Sequence, residues 1–279
     1  MPAGPRLTLR SRPVGGEPLE KIAGRLPARG RRLILLIHGF NTTEAEAAEG
    51  YAAFADLIER QAPRLAQALC PIYWPGDAAM KGGAYPWLVA RAETCGAMLA
   101  SWLSAHLEHR AGEVAIVAHS LGCRLALEAM TRLSAEQARQ IRLFLMAAAV
   151  PVGLIANDHK FEAAIARAAS ADALHSRADG VLAFWFRLGQ TAAPGESGLL
   201  PEAVGLNGKP GHPTWSRTAE MPGYDHGQYW AGHRMASHLA HRLGAAVAKP
   251  RPIRVSEPPR QAPLRVDPPP RADPPRRRL

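Results

Sequence analysis

A chain of 279 residues that is 47% hydrophobic and carries six Trp can bury a substantial core, and its length fits one large domain or two small ones. The net charge of +10 would suggest a polyanion-binding body, but residues 249–279 hold nine basic against three acidic residues, a net +6. More than half of the charge therefore belongs to a C-terminal tail, which removes the main argument for a nucleic-acid-binding core.

Residues 1–30 read as an N-terminal extension with room for an edge strand, and residues 31–248 as the folded domain. Arg31 and Arg32 precede the uninterrupted apolar run Leu33–Ile37, stopped by His38 and Gly39, as expected of a strand buried on both faces. Thr43 followed by Glu46 has capping-box spacing, so a helix is predicted from there to about Gln61, ended near Pro63. Residues 69–74 give a second strand, and Pro86 opens a long helix reaching roughly His109. A third strand over 113–118 passes with almost no loop into a helix over 121–133. A fourth strand over 141–147, a helix over 161–169 and a weaker fifth strand over 173–176 follow. Strands alternating with helices at this rhythm predict an α/β fold with a mostly parallel central sheet and helices on both faces. Residues 189–223 are rich in Gly and Pro and too long for an ordinary connection, which marks a functional or disordered loop, with a last strand near 214–218. Residues 228–247 read as a closing helix, and residues 249–279 as a disordered Pro/Arg-rich tail.

The run Ala118-His119-Ser120-Leu121-Gly122 stands between the third strand and its helix. A serine hydroxyl is a poor nucleophile at neutral pH and needs an adjacent base, exposure of its oxygen, and backbone donors facing a developing oxyanion. A sharp strand-turn-helix elbow supplies that geometry, with small residues two positions either side of the serine. The bland alternative is a helix N-terminus that Ser120 merely caps.

The elbow, together with His38-Gly39-Phe40-Asn41 after the first strand and Tyr73-Trp74-Pro75-Gly76 after the second, resembles the α/β-hydrolase superfamily, and within it a bacterial esterase/lipase-like branch of mostly uncharacterised function. The resemblance covers residues 30–245 or so and leaves out the tail; Ala118 stands where the superfamily usually has glycine. It implies Ser120 as nucleophile and the backbone amides of Phe40 and Leu121 as oxyanion hole. Superfamily chain order then asks for an acid after a later strand and a histidine near the domain's end. Asp179, followed by Gly180, is the first choice of acid; Asp158 is the alternative, although it reads equally as a helix cap, and Asp179 as a turn residue. His226, in the loop before the closing helix, is the base. His38 and His119 are better read as structural, and His233, His238 and His241 fall inside the closing helix.

Other chemistries find little purchase. The histidines show no His-x-x-x-His spacing, Cys70, Cys95 and Cys123 fit neither a zinc site nor a disulfide framework, and Gly82-Gly83 lacks the Lys-Ser/Thr of a nucleotide loop. No metal and no cofactor are expected. With no signal-peptide core and no apolar run near ~18 residues, the expectation is a soluble, cytoplasmic enzyme. It would hydrolyse a small-molecule acyl substrate, a carboxylic ester, through an acyl-enzyme on Ser120, with residues 189–223 as lid or pocket wall. The competing reading is a non-catalytic scaffold on the same fold, its basic tail docking a nucleic acid or anionic surface.

Overall fold

The chain is described by a computed structural model over residues 5–9, 21–23, 32–77, 85–109, 113–156, 160–191 and 200–244. The strands are β1 (Arg6–Thr8), β2 (Lys21–Ala23), β3 (Leu33–Ile37), β4 (Leu69–Tyr73), β5 (Val114–His119), β6 (Ile141–Met146), β7 (Ser170–His175) and β8 (Arg217–Glu220). They form one sheet in the order β2-β1-β4-β3-β5-β6-β7-β8. Every pairing is parallel except that of β2 with β1. The helices are α1 (Glu44–Gln61), α2 (Pro63–Ala66), α3 (Tyr85–His109), α4 (Leu121–Arg132), α5 (Ala135–Ala138), α6 (Glu162–Arg167), α7 (Phe186–Thr191), α8 (Val204–Asn207) and α9 (His233–Arg242); a π-helical turn, Val181–Trp185, runs directly into α7.

Continuous burial along β3 and β5 has a direct cause in the layering. Alternate side chains enter two separate cores. Leu33, Leu35 and Ile37 of β3, with Val114, Ile116 and Ala118 of β5, pack against α3, α4 and α6. Ile34 and Leu36, with Ala115 and Val117, pack against α1 and α9 on the other face. A parallel sheet covered on both faces has no solvent side, so its central strands carry no polar alternation. The Thr43 side chain accepts from the Glu46 amide while the Glu46 carboxylate accepts from the Thr43 amide, fixing where α1 starts.

Several boundaries differ from the sequence reading. β7 begins at Ser170, and β8 occupies 217–220 rather than 214–218. The closing helix begins only at His233, because residues 224–232 form turns in which Asp225 Oδ1 accepts from the Gly227 amide. Residues 200–223, expected within a lid, are part of the body instead. Ala203, Val204, Trp215 and Met221 are buried, and the Val204 and Gly205 amides donate to the carbonyls of Val150 and Ala148. A Cβ on Gly205 would come within 2.2 Å of the Ala147–Ala148 backbone, so only glycine lets the chain pass there. Residues 192–199 and the tail lie outside the described residues, as does Asp158. Among the described residues no helix is long and apolar enough to cross a membrane.

Candidate active site

β5 sits between β3 and β6, and β4 lies on the far side of β3, so the chain reverses its direction of travel across the sheet at the β3–β5 boundary. The carboxyl ends of strands at such a switch point open a crevice that no crossover covers. The loops after β3, β5, β7 and β8 all contribute to what lies there.

Ser120 occupies the single residue between β5 and α4, with φ 54° and ψ −124°. That conformation is costly for a residue with a Cβ, and it is held by its neighbours. The Ser120 amide donates to the Met146 carbonyl at 2.9 Å, and the Ser120 carbonyl accepts from Cys123 and Ala149. Its side chain makes no capping bond to α4, so the hydroxyl is not a helix cap. The tightness of the elbow also explains the flanking glycines. A Cβ on Gly122 would lie 2.3 Å from the His38 carbonyl oxygen, and one on Gly39 would lie 2.8 Å from Ser120 Cβ. Ala118 is fully buried against the α3/α4 core, so a methyl is accommodated at that position.

Asp179 follows β7 and is fully buried. Its Oδ1 accepts from the Leu182 amide at 2.9 Å, which ties the carboxylate to the start of the π-helical turn, and its Oδ2 lies 2.8 Å from His226 Nδ1. His226 Nε2 lies 2.8 Å from Ser120 Oγ. A carboxylate can only accept, so Nδ1 carries the proton and Nε2 is left to accept from the serine hydroxyl. Residues 120, 179 and 226, remote in sequence, thus form one hydrogen-bonded line.

The loop after β3 is clamped from the end of β4. Trp74 Nε1 donates to the His38 carbonyl at 2.8 Å, the Trp74 amide donates to His38 Nε2, and the Asn41 amide donates to the Gly76 carbonyl. His38 Nδ1 donates to the Gly39 carbonyl, and the ring stacks on Trp74, so this histidine is spent on shaping the loop. Phe40 follows Gly39, which faces Ser120. Leu121 opens α4, where first-turn amides have no intrahelical acceptor.

His119 has a use that the sequence did not disclose. Its Nε2 donates to the main-chain carbonyl of His226 at 2.7 Å, and its ring stands 4.9 Å from the His226 ring, beside Tyr229 and Trp230. Burial first, and the neighbouring His226 second, push its pKa down to about 3, so the ring is neutral. The signal was available in the period-2 pattern: His119 shares its face of β5 with Ala115 and Val117, the face covered by α9, and the loop before α9 carries His226.

Among the described residues no group of three His, Cys, Asp or Glu side chains is arranged to hold a metal ion. The three cysteines are buried and unpaired, and burial pushes the thiols of Cys70 and Cys95 up to about 12.

The profile of a family described as "Alpha/beta hydrolase of unknown function (DUF900)" matches residues 18–192, more than half of the chain. The match includes Phe40, Ser120 and Asp179 and stops before His226. No curated protein matches the chain. An uncharacterized protein from Bacillus cereus ATCC 10987 aligns with a TM-score of 0.44 and 12% identity over 79% of this chain and 61% of its own, so the chain spans about three fifths of that protein's length. A zinc-bound structure of a cold-adapted esterase from an Arctic intertidal metagenomic library gives 0.46 and 13% over 78% and 84%. A Thermus thermophilus protein gives 0.42 and 14% over 79% and 92%.

Proposed function

Since the chain belongs to the alpha/beta hydrolase family of unknown function, we propose that it is a serine hydrolase that cleaves carboxylic esters through an acyl-enzyme on Ser120. The observation that carries this reading is the line Asp179–His226–Ser120, with both contacts at 2.8 Å. Ser120 Oγ attacks the ester carbonyl carbon while His226 Nε2 takes its proton. The amides of Phe40 and Leu121 receive the tetrahedral oxyanion, and Asp179 steadies the imidazolium at Nδ1. The leaving alkoxide departs with the proton on Nε2. Water then attacks the acyl-enzyme, gives its proton to His226, and releases the carboxylic acid and the free serine.

A scaffold on the same fold would need neither the backbone strain at Ser120 nor a buried carboxylate aimed at a histidine, and both cost stability. A fluorophosphonate probe should leave one adduct on Ser120 in folded protein. With a panel of p-nitrophenyl esters of varied chain length, Ser120→Ala should lose at least about 10³-fold in kcat, and Asp179→Asn about 10³–10⁴-fold. Absence of the Ser120 adduct would overturn the assignment.

A further inference from the structure

The large hydrophobic side chains that stand exposed among the described residues are five: Val181, Phe184, Trp185 and Leu188, which follow Asp179 closely, and Leu200. Trp185 is 66% and Phe184 58% exposed, and the two rings meet edge to face. Their spacing explains the grouping. Leu182, Phe186 and Gln190 form the buried stripe of the π-helical turn and α7, so Val181, Phe184, Trp185 and Leu188 fall on the opposite side. Leu200 is fastened beside them, its amide donating to Thr191 Oγ1 and its carbonyl accepting from Arg187 Nε. An amphipathic helix in water shows a polar outer face; this one sets Val181, Phe184, Trp185 and Leu188 there, with Arg187 its one ionised group.

The surrounding charge says what covers it. Between residues 177 and 191 the exposed ionised groups are Arg177 and Arg187, and the one carboxylate, Asp179, is buried against His226. Arg177 lies 4.0 Å from Glu220, both exposed. A Trp–Phe pair flanked by arginines is the composition of elements that rest at a lipid–water boundary, rings at headgroup depth and guanidinium groups against anionic headgroups. Two copies of this chain joined through the same face would bring their own arginines together.

We propose that Val181, Phe184, Trp185, Leu188 and Leu200 form a docking surface for an anionic lipid bilayer, which makes lipid esters held in that bilayer the substrate class of the site. The proposal rests on the hydrolase reading for what the surface delivers. The connection between surface and site is short: the Leu182 amide, at the root of the apolar helix, is hydrogen-bonded to the Asp179 carboxylate.

The test is co-sedimentation of the full chain with vesicles of phosphatidylcholine alone and of phosphatidylcholine mixed with phosphatidylglycerol. Phe184→Ser/Trp185→Ser should weaken partitioning onto the mixed vesicles by at least about tenfold, with an unchanged circular dichroism spectrum. Arg187→Gln should weaken binding to the mixed vesicles and not to the zwitterionic ones. The tail is the same in every variant and cancels from the comparison. Equal partitioning of the double variant and the wild type would overturn the proposal. So would a dimer in the wild type that the double variant dissociates, since the occupant would then be a second copy. Turnover of a short, soluble p-nitrophenyl ester, measured on the same samples, keeps the two ideas apart. If the soluble ester is cleaved and partitioning is unchanged, the surface fails and the hydrolase reading stands; if no ester is cleaved and partitioning falls, the reverse holds.

Discussion

At Ser120 a backbone with positive φ, glycines at 122 and 39 packed against the turn, and a hydroxyl that declines to cap its helix are one set of facts. A Cβ at position 39 would sit 2.8 Å from Ser120 Cβ and 3.1 Å from His119 Nδ1, so Gly39→Ala is expected to displace the proposed nucleophile and abolish ester turnover; wild-type rates in that variant would count against the elbow as the reacting centre. In the proposed mechanism His119 is a positioning residue that acts through His226. Its bond to the His226 carbonyl is worth about 1 kcal/mol, so His119→Ala should lower kcat by about fivefold with KM for a soluble ester unchanged, and His119→Gln, which keeps a donor, should restore most of it. The same residue has a pH signature. Its folded pKa of about 3 lies below the ordinary 6.5, so the unfolded chain binds the extra proton between those values and acid favours unfolding. As pH falls from about 6.5 towards about 3, wild type should lose stability relative to His119→Gln by up to about 1.4 kcal/mol per pH unit, read from denaturant melts at stepped pH.

At the scale of elements, α9 matters because the loop before it carries His226. It is anchored by Asp172 of β7, whose carboxylate accepts from His238 Nε2 at 2.8 Å and from Arg242 Nε and Nη2 at 2.7 and 3.0 Å. Burial would raise the Asp172 pKa, but His238 and Arg242 outweigh it and hold the carboxyl below 3.8. That ionised form stabilises the fold at every pH above 3.8, and the contribution is lost as pH falls through the lower folded value. Asp172→Asn should therefore cost about 3–5 kcal/mol at neutral pH, and the gap to wild type should close below about pH 4. A constant gap across that range would show that the carboxylate's charge is not what anchors α9. The anchor was invisible in the sequence, where His238 is one of three histidines in a helix and Asp172 precedes the expected strand. β3, α1 and β5 were legible because double-sided burial leaves unbroken apolar runs and a capping box has fixed spacing. β1 and β2, three residues each, lack any period long enough to read. β8 is a polar edge strand, and residues 200–223 pack across strand ends where burial follows no repeat, so Gly and Pro content alone suggested a loop.

For the molecule as a whole, the sheet order gathers loops that start at residues 38, 120, 176 and 221 into one crevice, so the site is a property of topology more than of any segment. Ser120 and Asp179 could be read in advance because each is tied to a strand end with its own local motif. His226 could be read only from chain order; Asp179 is preferred to Asp158 for its place after the expected fifth strand, and its carboxylate lies against the imidazole, while Asp158 is outside the described residues. The tail, residues 249–279, lies outside the described residues, and the body that carries these relations is described without it. Among the described residues, the hydrogen bonds that shape the line and its loops are made within residues 38–234, and the aromatic support behind it ends at Trp230. Truncation after Ala248 should then leave kcat/KM for a soluble ester within about twofold of the full chain, the range of surface changes remote from a site, while removing a net charge of +6. Because loss of charge weakens attraction to any anionic surface through long-range, salt-screened terms, the truncated chain should also elute from a cation exchanger at lower ionic strength. A fall in soluble-ester turnover well beyond twofold would mean instead that residues after 248 complete the crevice.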